Sequence, residues 1–382
     1  MKKLKVMTIL GTRPEIIRLA RVMARLDTAV DHVITHTGQN WDYELNEVFF
    51  EDLGVRKPDH FLNVGGGSLG ETLGGILIET EKVLAEECPD AVLILGDTNS
   101  AISAIMARRM KIPVYHMEAG NRSFDRNVPE ETNRRLVDHV ADFNLVYTEH
   151  ARRHLLSEGL EHRRIYVTGS PMREVLTHYR PQIDASDILD RLSLKAREYF
   201  IVSLHREENV DSPDRLRSLV DTLNTLAEKY SFPVILSTHP RTRKRLDALG
   251  VPLHDLIIDA KPFGFHDYNK LQMNAFCAIS DSGTIAEEAS LLGFPAITPR
   301  DAIERPEAID VGAIIMTGVQ TLPILSGVEA AVTLFAERGR TEIPADYQID
   351  NTSDRVLSLV IGTARLSNQW DGIRVPEPTP RA

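Results

Sequence analysis

Short apolar runs alternate with amphipathic stretches through the N-terminal half of the chain. The apolar runs cover Val6–Leu10, His32–His36, Ala91–Leu95, Val114–Met117, Asn144–Tyr147 and Ile165–Thr168. Helix-like stretches such as Glu15–Leu26 and Thr72–Glu86 lie between most of them. Because strands that alternate with helices form βαβ units, this pattern predicts a parallel, doubly wound α/β sheet.

A second alternating set begins near Tyr199. Its apolar runs are YFIVSLH, PVILSTH, LIIDA, FCAIS, PAIT and AIIMTG. The clearest helix is Ser212–Tyr230, in which Ser212 is a cap, Pro213 lies in the first turn and leucines recur on one face. Since open parallel sheets bind ligands at their carboxyl edges, we predict two Rossmann-like α/β domains with the active site in the interdomain cleft.

Two prolines within Ser170–Ser193 indicate where the domains are joined. We predict an N-terminal domain over residues 1–172 and a C-terminal domain over residues 173–351. A helix at about residues 352–368 is expected to pack back on the N-terminal domain. Residues 369–382 form the tail, whose proline-containing end RVPEPTPRA is expected to be disordered.

Composition narrows the possible partners. The net charge of −11 argues against nucleic acid, because no basic face could easily outweigh it. The N-terminal run LKVMTIL is too short to cross a membrane, and no cleavage pattern follows it. Cys88 and Cys277 are too few for a disulfide framework or a metal site, so we expect a cytoplasmic protein without membrane contact.

The stretch Ala278–Glu307 has the pattern of a strand, an Asp-Ser-Gly turn and a helix. We predict that Ser282 caps this helix and that Gly283 lets a ligand approach the backbone. The unpaired amides at the start of a helix suit a pyrophosphate, and a carboxylate such as Glu288 suits ribose hydroxyls. The alternative is an ordinary capped turn without a ligand.

Carboxylates follow three predicted strands or loops of the N-terminal domain. Asp97 and Glu118 each come directly after an apolar run, and Glu130 and Glu131 begin a helix after Pro129. We expect the acids to meet in one crevice, where repulsion would raise one pKa and give the acid/base pair that proton abstraction at carbon needs. Capping roles are the alternative for each of them.

Basic residues also end predicted strands. Arg13 follows the glycine turn after the first strand, and Arg18 lies one turn later. His205 and His239, each near an arginine, end two strands of the second set. These groups would balance the charge of a pyrophosphate, although a solvated arginine or a loop histidine is the alternative. The GxGxxG pattern at Gly65 follows no βαβ strand, and we interpret it as a flexible loop.

The ordered motifs GTRPEIIR, HTGQ, LGDTNS, MEAGNR, VPEETNRR, SLHREEN, SDSGTIAEEA and RDAIERPE identify a resemblance. The chain resembles the non-hydrolysing UDP-N-acetylglucosamine 2-epimerase family over about residues 4 to 318. The resemblance implies a glycosyltransferase-B-like pair of Rossmann domains and a homodimer. It also implies elimination of UDP to a 2-acetamidoglycal followed by re-addition with C2 inverted, with no metal or nicotinamide cofactor.

The resemblance also assigns roles to residues. It implies catalytic roles for Asp97, Glu118 and Glu130, and a diphosphate contact for His205. The residues expected to bind the UDP-sugar are Arg13, Arg18, Gln39, Arg122, His239, Ser282, Gly283, Thr284, Glu288 and Arg305.

Several motifs depart from the usual family pattern. This chain has EAGNRS where the family usually has EAGLRT, SGT in place of SGG, and TGS in place of TGN. Arg18 replaces a lysine, and the loop between Glu118 and Glu130 is shorter than in the family. These departures resemble the branch that makes UDP-N-acetyl-L-fucosamine for capsule, O-antigen or lipopolysaccharide. Its substrate lacks the 6-hydroxyl, and Phe124 is our candidate for a less polar pocket. The changed Gln39 region also argues against a regulatory UDP-sugar site.

Four other functions remain open. A UDP-GlcNAc/UDP-ManNAc 2-epimerase would keep the chemistry and change the sugar. A UDP-sugar glycosyltransferase of the same fold would need an acceptor groove, and a hydrolysing relative would release free sugar. A non-catalytic UDP-sugar sensor would not need the acids Asp97, Glu118 and Glu130 together with His205.

Overall fold

A computed structural model of the chain describes residues 3–38, 50, 52–238 and 240–373. The chain divides into two compact units. The first contains residues 1–122, 129–175 and 349–382, and the second contains residues 123–128 and 176–348. Gln39, His239 and the last nine residues of the predicted tail lie outside the described residues.

A seven-stranded parallel sheet forms the centre of the first unit. Its strands are β1 (Lys5–Leu10), β2 (Asp31–His36), β3 (His60–Phe61), β4 (Ala91–Leu95), β5 (Val114–Ala119), β6 (Phe143–Val146) and β7 (Ile165–Val167). They lie in the order β3-β2-β1-β4-β5-β6-β7. The order reverses between β1 and β4, which is the switch point of a Rossmann fold.

Within the described ranges, five helices with full bounds lie between these strands. They are α1 (Arg13–Ala29), α2 (Leu69–Glu87), α3 (Ala104–Arg109), α4 (Pro129–Val140) and α5 (Glu149–Ser157). Ser68 caps α2 through a reciprocal bond with Glu71, so Leu69 and Gly70 are helical. The GxGxxG stretch, predicted to be a loop, therefore ends in the first turn of a helix.

The second unit has a six-stranded parallel sheet. Its strands are β8 (Phe200–Ser203), β9 (Val234–Ser237), β10 (Ile257–Ala260), β11 (Cys277–Ser280), β12 (Ala296–Thr298) and β13 (Ile315–Met316). The strand order β10-β9-β8-β11-β12-β13 repeats the reversal of the first sheet. The prediction of an α/β fold with two Rossmann-like sheets is confirmed.

In the described part of the chain, ten further helices precede, connect or follow the strands of this sheet. The chain enters the second unit through α6 (Met172–His178), α7 (Arg180–Ala185) and α8 (Ile188–Arg191). The others are α9 (Glu207–Val210), α10 (Pro213–Tyr230), α11 (Pro240–Leu249), α12 (Phe265–Asn274), α13 (Ile285–Leu292), α14 (Glu307–Asp310) and α15 (Thr321–Arg338). The last helix, α16 (Thr352–Trp370), belongs to the first unit and packs against α1.

The second sheet is buried on both faces, which explains why its strands are continuous apolar runs. One face packs on α10, whose Leu219, Leu223 and Leu226 are buried as predicted from their spacing. The other face packs on Ile285 and Ala289 of α13. No helix within the described ranges is long and apolar enough to span a membrane.

Candidate functional site

The acids and the glycine turn of the first unit lie at the carboxyl ends of adjacent strands. Gly11 follows β1, Asp97 follows β4 with one residue between, and Glu118 is the penultimate residue of β5. Because β1 and β4 flank the switch point, these residues occupy the edge where Rossmann folds bind ligands.

The backbone around Glu118 is bent. Its φ is +65°, and the pairing of β5 with β6 shifts register between Met117 and Ala119. A bulge of this kind re-aims a side chain, and a left-handed non-glycine residue is typical of functional sites. The Glu118 carboxylate forms an ion pair with Arg18, and its side chain remains 12% exposed.

Helix α4 holds Asp97. The Asp97 carboxylate forms an ion pair with Arg134, and the Asn133 side chain donates to the Asp97 carbonyl at 3.0 Å. Glu130 lies four residues before Arg134, so both project from the same face of α4. The next acid, Glu131, is buried against Arg134 at 3.1 Å and is structural.

Each of these acids is held by an arginine, because Asp97 contacts Arg134 and Glu118 contacts Arg18. Both acid side chains are slightly exposed, 18% for Asp97 and 12% for Glu118, so a ligand has access to them. Accessible acids at the ends of neighbouring strands suit proton transfer. The raised pKa that we expected for one of the acids stays a prediction.

A raised pKa does occur in this region, at Glu15. Glu15 is buried and accepts bonds from the Gly11 amide at 3.0 Å and from the hydroxyls of Thr12 and Thr98 at 2.7 and 3.1 Å. Burial raises the pKa of Glu15 to about 7, although the hydrogen bonds oppose that shift. Glu15 was missed, yet Thr12 and Glu15 have the spacing of a capping box, which marks such a pair in a sequence.

Glu15 connects two loops of the candidate site, because Gly11 follows β1 and Thr98 follows Asp97. Gly11 is also required by close packing. A Cβ at Gly11 would lie 2.1 Å from the Thr37 hydroxyl and 2.2 Å from the Ser100 hydroxyl. The turn after β1 is therefore fixed, and Arg13 begins α1 directly after it.

Arg122 has a structural environment. Its guanidinium donates to Asp138 at 2.7 Å and to both carboxylate oxygens of Glu158 at 2.6 and 2.8 Å. The Arg122 side chain is fully buried. These bonds hold the guanidinium in the interior of the first unit, and the substrate contact that we expected for Arg122 stays a prediction. The predicted contact at Gln39 lies outside the described residues.

In the second unit, basic residues follow β8, and the turn at Ser282 that was predicted to bind a pyrophosphate follows β11. These strands are neighbours at the switch point of their sheet. His205 is 44% exposed, and its Nδ1 lies 3.2 Å from Asp281. The carboxylate of Asp281 also accepts the backbone amides of His205 and Arg206. Asp281 is fully buried and was missed, because its contacts are about 75 residues away in the sequence.

The phosphate turn, which we define as Ser282, Gly283 and Thr284, differs from its prediction in one respect. Helix α13 begins at Ile285 and its N-cap is Thr284, so Ser282 is not the cap. The Ser282 hydroxyl instead accepts from the Thr284 amide at 3.3 Å. The Glu288 amide donates to the Thr284 carbonyl at 2.9 Å, so the regular helical bonds begin two residues later than predicted.

Two arginines approach the phosphate turn. Arg305 donates to the Gly283 carbonyl at 3.0 Å and forms an ion pair with buried Glu287. A Cβ at Gly283 would lie 3.3 Å from Arg206 Nη2. The turn thus combines helix-start amides with a guanidinium, an arrangement that attracts anions.

The two acids of α13 have different environments. Glu287 is fully buried by its pairing with Arg305, and it is therefore structural. Glu288 is 8% exposed and accepts from Gln272 at 2.8 Å. His239, the other predicted contact, lies outside the described residues. In the part of the chain that the structure describes, no group of three His, Cys, Asp or Glu side chains could hold a metal ion.

The sequence model of one protein family, described as UDP-N-acetylglucosamine 2-epimerase, matches residues 24–361. A solved UDP-N-acetylglucosamine 2-epimerase from Rickettsia bellii is 46% identical, with a TM-score of 0.90 over 96% of this chain and 98% of that chain. The Methanocaldococcus jannaschii UDP-GlcNAc 2-epimerase, solved with UDP-GlcNAc and UDP, is 36% identical, with a TM-score of 0.88 over 94% and 100%.

A Pseudomonas aeruginosa relative, UDP-2,3-diacetamido-2,3-dideoxy-D-glucuronate 2-epimerase, is 35% identical and covers 91% of this chain and 94% of the relative. The family model covers most of the chain, and the similarity of the folds extends over nearly all of it. The strand-end acids and the phosphate turn described above lie within the matched residues. The chain therefore belongs to the UDP-N-acetylglucosamine 2-epimerase family.

Proposed function

We propose that this enzyme inverts C2 of a UDP-linked 2-acetamido sugar by eliminating UDP and adding it back. The observation that carries the proposal is the pair of accessible acids, Asp97 and Glu118, each held by an arginine at the ends of neighbouring strands. Family membership supports the same reaction.

In the proposed first step, one carboxylate of the first unit removes the C2 proton. The electrons of the C2–H bond form the C1=C2 double bond, while the C1–O bond breaks and UDP leaves with the electron pair of that C1–O bond. The product is a 2-acetamidoglycal. In the second step another acid of the site, in its protonated form, donates a proton to the opposite face of C2, and UDP adds back to C1. Glu130, on the face of α4 that carries Arg134, is our third acid for these transfers.

The second unit would hold the UDP. We assign the diphosphate to the phosphate turn and to the side chains of His205 and Arg206, because amides at a helix start and cationic groups stabilise leaving-group charge. We assign the ribose hydroxyls to Glu288. Arg305 would act on the diphosphate through the turn, since it holds the Gly283 carbonyl. Arg13 and Arg18 of the first unit remain our proposals for the remaining contacts.

For the sugar, we propose UDP-2-acetamido-2,6-dideoxy-L-talose, which gives UDP-N-acetyl-L-fucosamine for a surface polysaccharide. The support is the set of motif departures together with Phe124, which is 69% exposed in the shortened loop. UDP-GlcNAc is the second candidate, because relatives over nearly the whole chain are UDP-GlcNAc 2-epimerases. The Pseudomonas aeruginosa relative is named for a different UDP-sugar, which supports the idea that related epimerases act on different sugars.

The test compares both sugars in deuterated buffer by proton NMR. We expect loss of the C2 proton signal and appearance of the epimer with the 6-deoxy sugar. Deuterium exchange at C2 of UDP-GlcNAc alone would agree with the proposed reaction and refute the proposed sugar. Exchange into neither would refute the function. If the enzyme accepts both sugars, Phe124→Ala should change the ratio of the kcat/KM values for the two sugars. An unchanged ratio would exclude Phe124 as a determinant of sugar specificity.

We further propose that the protein acts as a homodimer in the cytoplasm, as the family resemblance implies. Light scattering should then give about twice the 42.8 kDa mass of the chain. A mass equal to one chain would refute the dimer.

A further inference from the structure

The loop after β5 is held from two sides at Gly120. The Gly120 amide donates to both oxygens of Asp138, each at 3.2 Å, and the Gly120 carbonyl lies 2.9 Å from His154 Nδ1. Its φ is +80°, and a Cβ there would lie 2.4 Å from the Ala151 carbonyl oxygen. The backbone two residues after Glu118 therefore has little freedom to move.

The same aspartate is linked to the loop after β4. His116 Nδ1 lies 2.9 Å from Asp138, close enough for an ion pair, although the angle is not that of a hydrogen bond. The other nitrogen, Nε2, lies 2.7 Å from the Gly96 carbonyl and therefore donates to it. Since Gly96 directly precedes Asp97 and Gly120 lies two residues after Glu118, Asp138 is connected to the backbone beside both acids.

The Asp138 network is closed to solvent. The side chains of Asp138, His116 and Arg122 are fully buried. Burial alone would raise the pKa of Asp138, but the contacts with His116 and Arg122 outweigh it and lower that pKa. These contacts thus favour the anionic form of Asp138. Asp138 also lies four residues after Arg134, which pairs with Asp97, so the two side chains project from the same face of α4.

We propose that Asp138 is a positioning residue: it holds the loops after β4 and β5 so that Asp97 and Glu118 keep the fixed positions that proton transfer requires. The strained φ of Glu118 supports this role, because a left-handed residue persists only where its surroundings determine it. The effect on catalysis rests on the proposed function, whereas the positioning of the two loops rests only on the contacts of Asp138.

The chain offers a matched control for simple loss of stability. Asp142 is also buried in the first unit, accepts the Val114 amide at 2.9 Å and pairs with Arg108 at 2.6 Å. It therefore has the same kind of contacts as Asp138, but Val114 is at the start of β5, away from Glu118. A purely structural role for Asp138 predicts equal effects of Asp138→Asn and Asp142→Asn.

The experiment measures kcat, KM, UDP affinity and melting temperature for both variants, with the UDP-sugar that the wild type accepts. We expect Asp138→Asn to lower kcat about 100-fold, as for a misplaced catalytic group, with KM and UDP affinity nearly unchanged. Asp142→Asn should lower the melting temperature while kcat stays within about threefold of the wild type. Equal losses of kcat in the two variants, or a change in KM alone, would overturn the proposal.

Two substitutions of His116 keep the proposal testable if Asp138→Asn does not fold. Gln reaches the position of Nε2 and keeps the bond to Gly96, whereas Asn reaches only the position of Nδ1. We expect His116→Gln to retain at least several-fold more kcat than His116→Asn. Equal kcat values in these two variants would contradict positioning through Gly96.

Amide hydrogen exchange separates this inference from the proposed function. The segment that contains the Gly120 amide should exchange faster in Asp138→Asn than in Asp142→Asn, whether or not any sugar is turned over. If the wild type epimerises neither sugar but this exchange difference is found, the proposed function fails and the positioning contact stands. If the wild type is active and exchange does not change, the inference fails.

Discussion

The raised pKa of Glu15 predicts a measurable pH dependence of stability. An unfolded glutamate titrates near 4.5, whereas burial raises the pKa of Glu15 in the folded protein to about 7. Between these values the unfolded chain has released a proton that the folded protein retains. The free energy of unfolding therefore falls as the pH rises through this window, and it levels off above pH 7.

The Glu15→Gln variant removes this ionisation. The glutamine oxygen can accept from the Gly11 amide and the Thr12 hydroxyl, and its NH₂ group can donate to the Thr98 hydroxyl. At about 1.4 kcal/mol per pH unit, the pKa difference corresponds to roughly 3 kcal/mol, most of which falls between pH 5 and pH 8.5. The stability of Glu15→Gln relative to the wild type should increase by most of that amount over the range.

The assay is the melting temperature of both proteins at intervals from pH 5 to pH 8.5, without UDP. For a unit of this size, the gap between the two curves should widen by roughly 5–10 °C. Glu71→Gln is the control, because its bonds to Ser68 lower the pKa of exposed Glu71, which is therefore ionised throughout this range. If the Glu15→Gln curve stays parallel to the wild-type curve, the assigned environment of Glu15 is refuted.

Two further predictions concern the reaction and its ligand. Asp97→Asn should abolish turnover while UDP still binds by calorimetry, because the amide cannot take a proton; retained turnover would remove Asp97 from the chemistry. His205→Ala should weaken UDP binding by about 1.5–3 kcal/mol, the range for a charge-assisted hydrogen bond, and an unchanged dissociation constant would make His205 structural.

The fold was predictable because its strands are buried on both faces, which makes each a short apolar run between helices. Helix α10 was equally clear, since a serine cap and a proline precede its periodic leucines. The start of α13 was not predictable, because Ser282 and Thr284 are both suitable cap residues and the sequence does not show which carbonyl accepts the first regular helical bond.

The polar networks could not be predicted in the same way. Arg18 lies 100 residues from Glu118 and Arg134 lies 37 residues from Asp97, and the sequence does not distinguish these arginines from others. The buried aspartates Asp138 and Asp281 are similar cases, because their roles depend on loops brought together by the sheets. Asp97 and Glu118 were singled out because each lies at the end of an apolar run, where the edge of a parallel sheet binds ligands, and their catalytic roles stay predictions.

The most direct test of the central claim follows both bonds that the reaction must break. The UDP-sugar would carry ¹⁸O between C1 and the β-phosphorus, and the reaction would run in deuterated buffer. Reversible elimination predicts that deuterium enters C2 while ¹⁸O moves into the non-bridging oxygens of the β-phosphate. Deuterium at C2 with ¹⁸O still in the bridge would show that UDP never leaves, and it would contradict the account.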